Sequence, residues 1–438
     1  MSGTVVRHSH ADLHEESSAL RPDAVRRAAD AALRDARSAR RDRRLTDATA
    51  DALVTAGFAR HFVPRRWGGG EGTFGDVLRA SATVGESCAS AAWCAVLWAA
   101  HGRFAAFLPE EGQKEIWGAG PDVRIAAAVV PPAGHAARVA GGWLLHGEWG
   151  LASGVDHADW VLLAAPEYDA PAAAENDAPA APENETPGFP DNDAPAAPEN
   201  KTPGVPGNDA PGGPGRGAPA GPARVFAVPR SAVTVHDTWN SAGLRGTGSN
   251  TVVLDATVVP DSRSAPLSAL LAGDRREGTS RCYAAPAHLA GGLMFCGPAL
   301  GAARRALAAW SDWARTAAPS GTRPLDGPSA QERLARSAAE IDAVELMLSE
   351  AAGRADTGAL TPEAVARNRR DAAVAADWLA TAVDRLFRTG GAHLRDADGD
   401  LHRYWADVLT VASHGALRLE PAAEAYARSL DGGGADGR

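Results

Sequence analysis

Gly142-Trp-Leu-Leu-His-Gly-Glu-Trp-Gly-Leu-Ala-Ser-Gly-Val-Asp-His-Ala-Asp-Trp160 is the stretch on which the fold turns. It reads as a small β-domain's contribution to a site for a flat ligand. A second signal, Leu386-Phe-Arg-Thr-Gly-Gly391 followed by His414, lies far downstream. It reads as the polar groups of a helical domain, expected to reach the same place by folding.

Around the first stretch the pattern is that of strands. Arg124 to Val130, Ala137 to His146, Trp160 to Ala165, Arg224 to Val228, Val233 to His236 and Thr251 to Val259 are short apolar runs bounded by Gly and Pro. Gly141-Gly142 supplies a tight turn between two strand halves. Residues 119–280 therefore form a β-domain, interrupted by a Pro/Ala/Gly-rich insertion over 166–222. Within that insertion Asn176-Asp-Ala-Pro-Ala-Ala-Pro-Glu-Asn-Glu-Thr-Pro-Gly-Phe-Pro190 recurs from Asn192 and decays from Asn208. Such a composition cannot offset its ordering entropy, so disorder is expected. The strands on either side read as the arms of a hairpin with this segment at its tip, which loop-closure entropy tolerates.

On both sides of the β-domain the period changes to helical. Residues 21–118 show apolar spacings of three and four, as in Val25, Ala28, Ala29, Ala32 and Leu33. Thr46 is placed to cap a helix running to Ala56. Phe62 to Gly70 is a loop, helices resume from Phe74 to Phe107, and Pro109-Glu-Glu opens a further short one. Downstream, Ala287 to Ala317, Ser329 to Asp356, Thr361 to Arg388 and Leu401 to Leu430 predict four long helices in succession, a bundle over 281–431. Residues 1–20 and 432–438 read as a disordered N-terminus and a tail. The fold class is α+β: N-terminal helical domain, central β-domain, C-terminal four-helix bundle.

Composition narrows the partners. A net charge of −10 disfavours nucleic acid and anionic membranes, which reward clustered Lys and Arg. The basic run Arg34 to Arg44 carries Asp35 and Asp42 and reads as a solvated helix face. Four cysteines (Cys88, Cys94, Cys282 and Cys296) without a C-x-x-C pair fit a reducing compartment and buried small residues. No apolar run reaches membrane-spanning length, and the polar N-terminus holds no signal-peptide core. A cytoplasmic enzyme without a metal site is expected.

Six motifs occur in order across residues 45–430: Phe62-Val-Pro-Arg-Arg-Trp-Gly-Gly69, Phe107-Leu-Pro-Glu-Glu111, Gly142-Trp-Leu-Leu-His-Gly-Glu-Trp149, Ser153-Gly-Val-Asp-His-Ala-Asp-Trp160, Trp239-Asn-Ser-Ala-Gly-Leu-Arg-Gly-Thr-Gly-Ser249 and Leu386-Phe-Arg-Thr-Gly-Gly-Ala392. With the α, β, bundle order they resemble the acyl-CoA dehydrogenase fold. Within it the chain is most similar to the two-component, reduced-flavin-dependent monooxygenases (group D hydroxylases). The resemblance implies hydroxylation of an aromatic, phenolic or polyketide-type small molecule through a flavin C4a-hydroperoxide. It further implies reduced FMN or FAD from a separate flavin reductase, O2 as co-substrate, and a homotetramer built as a dimer of dimers. No G-x-G-x-x-G follows a strand and opens a helix, so the chain offers no nicotinamide site of its own.

The same resemblance distributes the site. Trp149, Leu151, Ala152 and Ser153 would line the isoalloxazine, with Ser153 reaching N5; a turn serine before Gly154 is the plainer reading. Arg388, Gly390 and Gly391 would approach the flavin phosphates across a subunit interface, glycine permitting close approach and arginine a bidentate fork. Arg388 also suits a helix C-terminus. Arg315 would be a second phosphate arginine or a solvent-facing one. His414 matches an active-site histidine on the last long helix, with a pKa range suited to proton transfer, although a core histidine fits the local pattern too. His101 would be a pocket-lining histidine, the third catalytic candidate after His414 and Ser153. The dehydrogenases' catalytic glutamate has no matching Gly-Thr-x-Glu segment here, where Ser413-His-Gly-Ala-Leu-Arg-Leu-Glu420 stands. Three rival functions stay open: N-oxygenation of an amino sugar, acyl-CoA dehydrogenation, and a catalytically silent oligomeric binding protein.

Overall fold

The computed structural model describes residues 19–168, 222–316, 321–389 and 399–431. It opens with helices α1 (Pro22–Asp42), α2 (Asp47–Thr55), α3 (Phe74–Ser87), α4 (Ala89–Ala105) and α5 (Glu110–Trp117). Spacing of three and four buries Ala24, Val25, Ala28, Ala32, Ala36 and Ala39 of α1, leaving Arg34, Arg37 and Arg41 outward. Thr46 caps α2 by accepting the Thr49 amide at 3.1 Å. The helices expected from Phe74 to Phe107 are two, separated where Cys88 turns extended.

The sheet follows, as β1 (Ile125–Ala128), β2 (His135–Val139), β3 (Gly142–Ala152), β4 (Trp160–Tyr168), β5 (Ala223–Pro229), β6 (Thr234–His236), β7 (Asn250–Val259) and β8 (Ser264–Pro266). Strand order is β6-β7-β3-β2-β4-β5-β8, with β1 added beside β4. β2 and β3 form an antiparallel pair that turns at Gly141, as the paired glycines predict. β3 then runs further than its turn-rich sequence suggests, because Trp149 and Ala152 both bury inward while pairing with Val252 and Asn250 of β7.

β4 and β5 pair antiparallel from Trp160↔Pro229 to Pro166↔Ala223, so they are the arms of a hairpin. The pairing continues into the compositionally odd segment: β4 reaches Tyr168, and the Glu167 amide donates to the Pro222 carbonyl at 2.8 Å. The remainder of the expected disordered insertion lies outside the described residues, as do most of the N-terminus and the tail.

After α6 (Leu267–Ala272) and α7 (Arg281–Ala284) come α8 (Ala287–Arg315), α9 (Pro328–Thr357), α10 (Pro362–Thr389), α11 (Asp400–Ala412) and α12 (Leu419–Asp431). The expected last long helix, Leu401 to Leu430, is therefore two helices. His414 stands in extended conformation (φ −64°, ψ 136°) before a short 3-10 turn at Gly415–Leu417. Gly415 weakens helix continuation, and Pro421 fits the first turn of a new helix better than the interior of an old one. His414 is thus at a helix break and not within a helix.

The helices before and after the sheet share one apolar core, and the sheet interior is a second. Between α3 and α8 the backbones touch. A Cβ on Gly301 would lie 2.1 Å from the Ala82 carbonyl oxygen, so only glycine permits this approach. That contact fixes α8, which carries Phe295, against the N-terminal helices. All four cysteines are buried and unpaired. Among the described residues no helix is long and apolar enough to cross a membrane.

Because strand pairing alone sets the register of β4 and β5, joining Tyr168 to Pro222 through a short turn should keep the fold. Loop-closure entropy predicts a stability gain of up to roughly 2 kcal/mol. Urea denaturation of the shortened chain tests this, and a clear loss would contradict it.

Candidate flavin site

Three separate parts of the chain meet around Ser153. From α4 comes Trp93, whose indole Nε1–H donates to Ser153 Oγ at 3.2 Å. From α8 comes Phe295, stacked on Trp93 at 5.0 Å between centroids. From the break after α11 comes His414, whose ring lies 4.4 Å from Phe295 and 5.5 Å from Trp93. Trp93 and Ser153 are buried, whereas Phe295 and His414 are half-buried and form the accessible side.

Beside Ser153 the end of β3 bulges. Its pairing with β7 skips Gly150 and Leu151, and Leu151 takes a left-handed φ of 62° with its side chain 68% exposed. A left-handed leucine costs about 1–2 kcal/mol, and its apolar side chain gains nothing from water. Bulges of this kind re-aim side chains next to active sites. The result is an apolar ledge with a buried hydroxyl behind it. Trp149 and Ala152 face the other way: the Trp149 indole donates to the Ala164 carbonyl at 2.8 Å inside the β-core. Any contact from these two to a ligand is through backbone.

Ser153 is held from behind by the loop Trp239–Ser249. Its Oγ lies 2.7 Å from Ser249 Oγ, which lies 2.6 Å from Thr247 Oγ1, whose hydroxyl donates to the Leu244 carbonyl at 2.9 Å. The Gly154 amide donates to the Thr247 carbonyl at 2.7 Å. Leu244 is the pivot. It is buried with φ 50°, another left-handed non-glycine, and a conformation of that cost persists where its surroundings over-determine it. Its carbonyl also accepts Trp239 Nε1–H at 2.9 Å, and its amide donates to Asp407 Oδ1 of α11 at 2.6 Å. Burial pushes the Asp407 carboxyl up to about 6, against the lowering effect of the Leu244 amide and of Arg403. Next to the pivot, a Cβ on Gly243 would lie 2.0 Å from the Ala406 carbonyl oxygen, so the loop lies directly on the α11 backbone.

His414 Nδ1 accepts the Ala416 amide at 3.2 Å, which places the proton of the neutral ring on Nε2. Burial lowers its pKa, so the neutral form prevails at neutral pH. His101 is elsewhere. It lies about 12 Å further along α4 than Trp93 by helix rise, buried, with Nδ1 2.8 Å from the Ile125 carbonyl. Desolvation lowers its pKa to about 4.

The arginines are at the far end of the bundle. Trp310 of α8 donates to Thr389 beside Arg388, and about 22 Å of helix separate Trp310 from Phe295. Arg388 pairs with Asp384 at 2.6 Å and lines a cleft of about 410 Å³ with Arg333, Arg336 and Arg385. Arg315 is exposed and pairs with Asp312 at 3.2 Å. Folding of one chain therefore unites Ser153 with His414 but not with Arg388, in contrast to the expectation that the whole downstream signal would reach one place. Gly390 and Gly391 lie outside the described residues.

Residues 293–418 match the family model of the acyl-CoA dehydrogenase C-terminal domain. The chain is 28% identical over 396 residues to the flavin-dependent monooxygenase oxygenase subunit HsaA of Mycobacterium tuberculosis, covering 88% of each. To the oxygenase component of the FADH(2)-dependent resorcinol hydroxylase of a Rhizobium species it is 28% identical, covering 91% of this chain and 90% of the relative. Among solved structures, XiaF from Streptomyces in complex with FADH2 and glycerol superimposes with a TM-score of 0.78 at 27% identity, over 96% of both chains. The chain is thus similar along most of its length to oxygenase components of flavin-dependent monooxygenases and shares the acyl-CoA dehydrogenase-like fold of their solved structures.

Glu420, the carboxylate in the segment that stands where the dehydrogenases carry theirs, is 88% exposed and 3.5 Å from Arg418. A solvated, ion-paired carboxylate is poorly suited to removing a carbon-bound proton. Sequence reasoning overlooked Trp93, Phe295, Thr247, Ser249 and the anchoring role of Asp407. The first two sit in apolar helices where nothing local separates them from core. The run Gly246-Thr-Gly-Ser249 was legible as a motif, and its hydroxyls were the available signal.

Two consequences can be measured. Gly243→Ala must push the loop off α11 and should cost about 1–3 kcal/mol, as overpacking does, in urea denaturation. His101 titrates near 6.5 when unfolded and about 4 when folded, so the unfolded chain binds more protons between these values and stability falls as pH drops through that window. His101→Gln should remove roughly 2 kcal/mol of the loss between pH 7 and 4.5; parallel pH curves for variant and parent would contradict this.

Proposed function

We propose that the chain is the oxygenase component of a two-component system that hydroxylates an aromatic, phenolic or polyketide-type small molecule, using reduced flavin from a separate reductase and O2. The observation that carries this is the meeting of Ser153, Trp93, Phe295 and His414 from four parts of the chain beside the exposed Leu151 ledge. A flat ring fits the ledge, Ser153 offers an oxygen at its edge, and the aromatic side chains keep water from the opposite side.

Bound reduced FMN or FAD supplies the electrons with which dioxygen is activated. The protein's part is positional. Ser153 would meet N5 of the ring. His414, neutral and carrying its proton on Nε2, donates a hydrogen bond toward the substrate's oxygen or toward the oxygen being transferred. Trp93 and Phe295 hold an aromatic substrate against that edge and exclude water. Arg388 and its neighbours are about 20 Å too remote to serve the same chain's ring, by helix rise. Arg388 of a second copy would serve the flavin phosphates, with Arg315, Gly390 and Gly391 as further candidates, in a homotetramer built as a dimer of dimers.

The relatives indicate substrate chemistry: resorcinol for the Rhizobium enzyme and p-hydroxyphenylacetate for a further relative, 24% identical, from Acinetobacter baumannii. A phenol is the first substrate to test. Purified chain with a flavin reductase, FMN or FAD, and a panel of phenols should give hydroxylated product. His414→Ala should lower product formation about 10²–10⁴-fold and divert oxygen to peroxide while flavin still binds. Product formation unchanged in His414→Ala would remove its assigned role. Reduction of bound flavin by an acyl-CoA alone would replace the reading with dehydrogenation, N-oxidation of an amino sugar without phenol turnover would redirect it, and failure to bind either flavin would leave a silent scaffold.

A further inference from the structure

The hydroxyls behind Ser153 form a relay whose direction follows from counting protons. Thr247 Oγ1 donates its single proton to the Leu244 oxygen, which can only accept, and only in that orientation is every contact along the row a hydrogen bond. Thr247 Oγ1 must then accept from Ser249, which spends its own proton on that bond. Ser249 Oγ must in turn accept from Ser153. The Ser153 proton thus points away from the ledge. On its other side Ser153 Oγ accepts the Trp93 indole, which can only donate. What Ser153 presents to a ligand is an acceptor oxygen with no proton to give.

We propose that this relay selects the redox state of the flavin: Ser249, Thr247 and Asp407 are positioning residues that hold Ser153 as an acceptor, favouring the N5–H of reduced flavin over the bare N5 of oxidised flavin. The inference rests on the reading that Ser153 meets N5. Reduced isoalloxazine carries a hydrogen there and donates, whereas oxidised isoalloxazine has a lone pair and accepts. Against the Ser153 lone pair the first makes a hydrogen bond and the second makes none. Asp407 enters because the relay ends on the Leu244 carbonyl, and that left-handed peptide is pinned by the bond from its amide to Asp407 Oδ1. Selection of this kind suits a protein that receives its flavin already reduced, since oxidised flavin then leaves the site readily.

The test is anaerobic titration of the intact protein with oxidised and with dithionite-reduced FMN, repeated with FAD, read by flavin fluorescence or calorimetry. The parent should bind the reduced form at least tenfold more tightly. Ser249→Ala removes the acceptor for the Ser153 proton, which can then turn outward. The reduced-to-oxidised affinity ratio should fall at least fivefold, chiefly through tighter binding of oxidised flavin, and the midpoint potential of the bound flavin should fall with it. Thr247→Val cuts the relay at a second point and should act in the same direction, so the outcome does not depend on one variant folding. Thr247→Ser and Asp407→Asn, which keep the hydroxyl and the acceptor, should keep the parental ratio, whereas Asp407→Ala should lower it. A purely structural role would weaken both forms alike and leave the ratio in place, overturning the proposal. Equal affinity of the parent for both redox states would also overturn it. If neither flavin binds the parent, the flavin reading itself fails and the proposal falls with it.

Discussion

Everything that defines the site depends on one strained peptide, Leu244. A buried leucine in the left-handed region is unfavourable by itself, yet here its carbonyl receives Trp239 and Thr247 while its amide is taken by Asp407. Those bonds tie the loop between β6 and β7 to α11. The same loop reaches Ser153 through two hydroxyls and the Gly154 amide through a carbonyl. The Arg245 guanidinium extends it further, donating to the Arg40 carbonyl at the end of α1. Sheet, bundle and N-terminal helices are therefore joined at the place where the chemistry is expected. Strain concentrated at such a joint is stable because many bonds must break together before it relaxes.

The second constraint is close helix packing. Glycine and alanine at the α3–α8 contact bring two backbones together, and the shared core of the flanking helical regions follows from that approach. Its functional product is the stack of Phe295 on Trp93, with His414 completing the aromatic group. α11 contributes twice: Asp407 anchors the loop behind Ser153, and seven residues later, just past the end of the helix, stands His414. One helix thereby sets the positions of both candidate catalytic groups.

The exposed ledge at Leu151 and the distant arginines at Arg388 describe a site that one chain leaves open. An apolar leucine is held outward on a bulge, and a cleft of guanidinium groups lies toward the other end of the bundle; in the reading proposed above they would serve the two ends of a flavin. In the arrangement proposed above they would belong to different copies, and assembly and cofactor binding would be coupled. Such coupling makes apparent flavin affinity depend on protein concentration.

The sequence by itself determined the order of helices, sheet and bundle, the hairpin at Gly141, the arms flanking the repeat, the cap at Thr46 and the motif order that marks the flavin-dependent monooxygenases. These are local or cumulative signals: apolar period, capping chemistry and turn glycines act over a few residues and survive without knowledge of partners. It also singled out Ser153 and His414. Only the tertiary structure decided that His414 sits at a helix break, that Ser153 is backed by Ser249 and Thr247, that Trp93 and Phe295 join them, and that Arg388 does not. Those outcomes depend on contacts between residues 60 to more than 300 positions apart, such as Trp93 with Ser153 and with His414. An apolar helix position carries the same hydrophobic pattern whether its side chain fills a core or faces a ligand, so the distinction exists only once the elements have packed.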